Sequence, residues 1–128
     1  MKGKLIMNGQ SFNEKYELFI SKLNAIREII TDLGRRHQLF RRKCENNIFL
    51  LLFRRRRLRI LRDSLQVVYS SFDELNRKRT FIWGMISKAC WADDSYISKT
   101  FDHTFDEIET LEQKLKEIER LLSKVEKK

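Results

Sequence analysis

Arg54 to Arg57 form an unbroken run of arginine near the middle of the chain, with Arg41 before it and Arg59 and Arg62 after it. Guanidinium groups bind phosphate bidentately, so such a cluster suits a polyanionic backbone. Successive helical residues point about 100° apart, so the run cannot face one ligand as a block. Arg55, Arg59 and Arg62 share a face by their four and three spacing, and Arg41 precedes Arg55 by two heptads on a continuous helix. These four form the expected phosphate-contacting row, and Arg54, Arg56 and Arg57 complete the candidate nucleic-acid-binding set. The competing reading is a solvated face whose arginines pair with acidic surfaces of a protein partner.

Charge distribution favours a polyanion. Residues 1–34 carry 5 basic and 4 acidic side chains, residues 35–79 carry 14 and 4, and residues 80–128 carry 8 and 10. The middle segment therefore supplies the whole excess of the +9 net charge. No helix-turn-helix, zinc-finger, RNA-recognition or homeodomain signature accompanies it, so the expected contact is to RNA or DNA backbone rather than to base edges. A membrane surface is a weaker competitor: arginines beside an apolar segment describe an interfacial helix, but Ile48 to Phe53 is apolar on every side and promises little amphipathicity.

Chemistry of other kinds finds little footing. The only histidines are His37 and His103, and Cys44 follows His37 by seven residues, about 10 Å along a helix and too far for one metal ion. His103 with Asp106 or Glu107 has one-turn spacing, which describes a surface histidine near acidic groups better than a metal pair. There is no glycine-rich phosphate loop and no Ser-His-Asp set. The sequence predicts a non-enzymatic protein with no cofactor, no metal and no small-molecule substrate.

These residues must be held by helices. Proline is absent and only Gly3, Gly9, Gly34 and Gly84 interrupt the backbone with glycine, which excludes a turn-rich β fold. The longest apolar run, Ile48 to Phe53, is far short of the roughly 18–20 residues that cross a bilayer. MKGKLIMNGQ lacks the apolar stretch of a signal peptide, and Cys44 and Cys90 make no disulfide framework. The expectation is a reducing compartment: cytoplasm, nucleus or an organelle interior.

Helix 1 is expected over about 11–33, opened by a Ser11/Glu14 capping box and stopped at Gly34. Phe12, Tyr16, Phe19, Leu23, Ile26, Ile30 and Leu33 recur at four-three steps. Helix 2 is expected over about 36–92, with a break possible in the pattern near 54–57. Its seam runs Leu58, Leu61, Leu65, Val68, Phe72, Leu75, Ile82, Ile86 and Ala89, with Arg79 as its charged member. A turn at Ala92 to Ser95 leads into helix 3, about 95–126, with a seam of Phe101, Phe105, Ile108, Leu111, Leu115, Ile118, Leu122 and Val125.

The fold class is thus all-α, a single domain of long antiparallel helices with heptad seams. Two arrangements satisfy the lengths. In an extended rod, helices 1 and 3 each lie on half of helix 2 and both termini meet beside the arginines. In a compact three- to four-helix bundle, helix 2 folds back near the same cluster. Pairing of helices in the rod leaves Ile48, Phe49, Leu50, Leu51, Leu52 and Phe53 uncovered, which marks them, with Trp83 and Trp91, as an interface for self-association or a helical partner.

Overall fold

A computed structural model of the chain describes residues 2–87 and 93–126, and the side chains of all of these except residues 2–11. Three helices follow one another: α1, Lys2–Glu45; α2, Ile48–Ser87; and α3, Asp94–Glu126. Each packs on both of the others, so the arrangement is an all-α, three-helix bundle and not the extended rod. At about 1.5 Å per residue the helices span roughly 66, 60 and 50 Å.

The fold-back lies at Asn46 and Asn47, ahead of the expected break at 54–57, across which α2 is continuous. Asn46 N and Asn47 N close α1 by donating to Arg42 O and Cys44 O, both at 3.1 Å. Asn47 then opens α2, its Oδ1 accepting from Phe49 N at 3.0 Å and Leu50 N at 3.4 Å. Asparagine is among the preferred residues for this capping role because its side chain substitutes for the missing helical acceptors.

Gly34 does not end α1, and α1 also runs through the Ser11 position expected to start it. No described glycine has a positive φ. A mid-helix glycine costs only about 1 kcal/mol, and continuing the helix buries Phe40 and Cys44. Gly34 serves proximity instead: Tyr69 Oη from α2 lies 2.5 Å from where a Cβ at position 34 would stand. Of the turn expected over Ala92 to Ser95, Ala92 lies outside the described residues; α3 begins at Asp94, capped by Asp93 Oδ1 accepting from Tyr96 N at 2.7 Å.

The seams meet within one chain. Phe19, Leu23, Ile26 and Leu33 of α1, Leu61, Leu65, Val68 and Leu75 of α2, and Phe101, Ile108, Leu111 and Ile118 of α3 form one buried core. Phe12 stacks on Phe101 at 6.1 Å, and Tyr16 meets Trp83 at 5.1 Å, so the start of α1 lies beside the end of α2 and the start of α3. On α2 the seam passes through Lys78 and Met85 rather than Arg79. Arg79 is exposed, Met85 is buried, and half-buried Lys78 pairs with Glu107.

Arg36 of α1 fastens the opposite end. It donates to Glu126 through Nε at 3.1 Å and Nη2 at 2.5 Å, and to Glu119, both on α3. This bundle separates the two termini. Phe12 belongs to one end, whereas Val125 accepts from Arg54 near the other, so α1 starts and α3 finishes at opposite ends instead of meeting beside the arginines as in the rod. Ala89, Cys90 and Trp91 lie outside the described residues.

Candidate nucleic-acid interface

The hairpin changes how the predicted arginines come together. Arg41 is not on the same helix as Arg55, so the row expected along one continuous helix does not exist. Antiparallel packing nevertheless returns Arg41 of α1 to the neighbourhood of Arg55, Arg59 and Arg62 of α2. These four, with His37, Glu45, Leu51 and Leu58, line a groove of about 340 Å³ between the two helices.

Local sequence explains the wall. Leu51 and Leu58 pack toward the core, and Arg55, Arg59 and Arg62 occupy the adjoining stripe at four and three spacing. Across the groove, His37 and Arg41 stand one turn apart on α1. The groove continues into a second cleft lined in part by Arg35, His37, Gln38, Arg41, Arg62 and Tyr69.

Carboxylates only partly offset this charge. Arg41 pairs with Glu45 at 3.0 Å and Arg62 with Asp63 at 3.5 Å, both on exposed side chains. Arg55 and Arg59 have no carboxylate within ion-pair distance among the described residues, and both are exposed. Exposed ion pairs contribute about 0–1 kcal/mol, so phosphate can displace Glu45 and Asp63 at little cost.

His37 is the residue that sequence reasoning missed. It is half-buried, and its Nε2 has no protein hydrogen-bond partner among the described residues. Burial holds its pKa below the usual imidazole value, the charges of Arg41 and Arg62 push it the same way, and the Leu58 backbone opposes them. The signal was its position four residues before Arg41.

The remaining predicted arginines separate from the groove. Arg54 continues the α2 seam, three residues after Leu51 and four before Leu58. Its guanidinium sits 5.7 Å from the centre of the Phe40 ring and reaches Val125 O at 3.5 Å. Its long stem follows the apolar end of the bundle, a packing role for a charged residue. Arg56 and Arg57 are exposed and line neither cleft.

Comparison with protein-family models, curated proteins and solved structures finds no match.

The predicted interface residues divide as well. Leu51 packs on the core, and Leu50 lines a cleft at the bundle end with Phe40, Cys44 and Arg54. Ile48, Phe49, Leu52 and Phe53 project from the start of α2. Trp83 is about half exposed at the far end, against Tyr16, and Trp91 lies outside the described residues. Burial raises the Cys44 thiol pKa despite the charge of Arg54 nearby.

His103 Nε2 lies 3.2 Å from Glu107 Oε1, the same oxygen that pairs with Lys78. Among the described residues no three His, Cys, Asp or Glu side chains are grouped to hold a metal ion. No described helix is long and apolar enough to cross a membrane.

Proposed function

We propose that this protein is a non-enzymatic helical subunit that binds the phosphate backbone of RNA or DNA in the α1/α2 groove. The observation that carries this reading is the convergence of Arg41, Arg55, Arg59 and Arg62 on one groove, with Arg55 and Arg59 unneutralised. Arg41, Arg55, Arg59 and Arg62 hold the phosphates, and the nearby His37 imidazole adds positive charge behind them when protonated. Nothing in the groove supplies a set of base-reading side chains, so affinity depends on charge and backbone spacing.

The test is Arg55→Gln with Arg59→Gln and Arg62→Gln, measured as affinity for generic nucleic acid across a salt series. Glutamine preserves helix propensity while removing the positive charges. Each lost phosphate contact lowers the slope of log affinity against log salt by about 0.9 for duplex DNA and about 0.7 for single strands. The expected fall is therefore up to about 2–3 units, nearly independent of base sequence.

The control is Lys114→Gln with Lys116→Gln and Lys124→Gln on α3, where Glu112, Glu117 and Glu119 offset the charge. Equal weakening by both triple variants would make the attraction diffuse net charge. No weakening by either would transfer the arginines to acidic protein partners.

A further inference from the structure

Another face of α2 carries an argument of its own. Ile48, Phe49, Leu52 and Phe53 begin the helix at the turn-bearing end of the bundle and are 68%, 79%, 67% and 92% exposed. A soluble surface tolerates scattered apolar side chains, but four large ones contiguous on a helix end mark a contact site. The end cleft beside Phe40 and Cys44 and the two arginine-lined clefts are lined by none of them, and their exposure makes them a projecting tip rather than the walls of a receptor groove.

The apolar run is not uniform once folded. Leu51 turns to the core and Leu50 to the end cleft, leaving the other four on one outward arc. At about 100° per residue, Phe49, Phe53, Arg56 and Ile60 fall within about 60° of one another, roughly 120° round α2 from Arg55, Arg59 and Arg62. Exposed Ile60 extends the apolar stripe. Phe49 and Phe53 thus share a stripe with Arg56 and Ile60 away from the groove, whereas Ile48 and Leu52 stand at the tip end of the Arg55 and Arg59 stripe; the tip has an apolar end and a basic collar.

Charge selects the occupant. Self-association, the sequence expectation for this band, would bring Arg56 and Arg57 of one copy toward those of another. Residues 42–57 include Arg42, Lys43 and Arg54 to Arg57 against Glu45 as the only acidic residue. An anionic partner is required, and a projecting tip needs one that can deform around it. Rows of anionic headgroups over an acyl interior meet both needs: basic side chains attract the headgroups while the apolar ones enter below them. Asn47 bonding at the start of α2 keeps the helix formed at the tip, so little ordering is needed on contact.

We infer that the α1–α2 tip docks on an anionic lipid surface, inserting Phe49, Phe53, Ile48 and Leu52 while Arg56 and Arg57 contact headgroup phosphates.

The test is co-sedimentation of the full chain with phosphatidylcholine vesicles containing or lacking phosphatidylserine. Wild type should bind the anionic vesicles and not the neutral ones. Phe49→Ser with Phe53→Ser should cut that binding about tenfold or more, because stable attachment needs apolar and electrostatic contributions together. Both side chains are exposed, so the bundle should keep its helicity, and binding of nucleic acid in the groove should be unchanged. Arg56→Gln with Arg57→Gln should also weaken vesicle binding, more at low salt than at high. The inference is overturned if wild type ignores phosphatidylserine or if the serine variant binds vesicles as well as wild type. It is equally overturned if light scattering finds a wild-type dimer that the serine variant dissolves, since the tip would then be a contact between copies.

Discussion

Replacing Arg36 by Met tests whether the bundle end is fastened by charge or by packing. Methionine keeps an unbranched stem against Leu39, Phe40 and Val125 while removing the guanidinium. The loss comprises the two bonds to Glu126, the bond to Glu119 and a longer contact with Asp32 at 3.5 Å. Hydrogen bonds to charged groups contribute about 1.5–3 kcal/mol each where water is excluded. Here the Arg36 side chain is 18% exposed, but Glu119 and Glu126 are 49% and 36% exposed and rehydrate freely once released. Discounting for that screening leaves about 1–2 kcal/mol for the whole cluster. In a domain of this length, that lowers the thermal midpoint by roughly 3–8 °C.

The assay is thermal unfolding followed by circular dichroism between pH 7 and pH 3. Hydrogen bonding to Arg36 holds the Glu126 carboxyl below its ordinary pKa, against the opposing effect of burial. A depressed carboxylate stabilises the fold above the unfolded-state pKa and loses that contribution as pH falls through the folded value. The gap between wild type and Arg36→Met should therefore narrow below about pH 4. Glu126→Gln should reproduce part of the loss, and the double variant should cost less than the sum of the two. A gap that stays constant down to pH 3, with strictly additive variants, would refute the ionic account and assign the effect to the arginine stem.

Two further expectations concern the core and the groove. Ile118→Asp places an unpaired carboxylate at a site that is 2% exposed, and should destabilise the bundle by roughly 3 kcal/mol or more, read as collapse of helical signal in denaturant titration. His37 has a depressed pKa, so the free protein should lose stability as pH falls from about 6.5 toward the folded value, because only the unfolded chain takes up the proton. Phosphates in the groove reverse that preference, so nucleic-acid affinity should rise between pH 7.5 and 5.5. His37→Gln should flatten the rise and His103→Gln should not.

Periodicity made the core of each helix readable, because burial follows side-chain spacing directly. The seams from Phe12 to Leu33 and from Phe101 to Val125 are buried or half-buried as their four-three steps imply. The hairpin was harder to see. Gly34 carries the stronger conventional stop signal, whereas Asn46 and Asn47 interrupt the chain without glycine or proline. What decides between them is tertiary burial of Phe40 and Cys44 beyond the glycine, which local propensity does not report. Arg42 and Lys43 before the turn, and Asn47 ahead of an apolar run, were the available stop and start cues.

The basic groove was legible for a reason that differs from the geometry. Heptad counting linked Arg41 to Arg55 along one helix, and antiparallel return joins them across two. A hairpin centred on Asn46 and Asn47 carries α1 back along α2, so a face shared before the turn can be shared after it. The placement of Arg54 was not legible, because its charge suggests solvent while its position on the seam between Leu51 and Leu58 sends it to Phe40 and Val125.

An odd number of antiparallel helices gives the bundle a direction. The chain enters at the end marked by Phe12 and Trp83 and leaves at the end marked by Arg36 and Arg54. Anything tethered to the two ends of the fold is held apart by a stiff strut, roughly 50 Å if α3 sets the length. Joining those ends to permute the chain would need a linker spanning that distance, whereas a four-helix relative of the same design could be closed with a few residues. The bundle is thus a spacer with polarity, and its arginine-rich pole coincides with the end from which the chain departs.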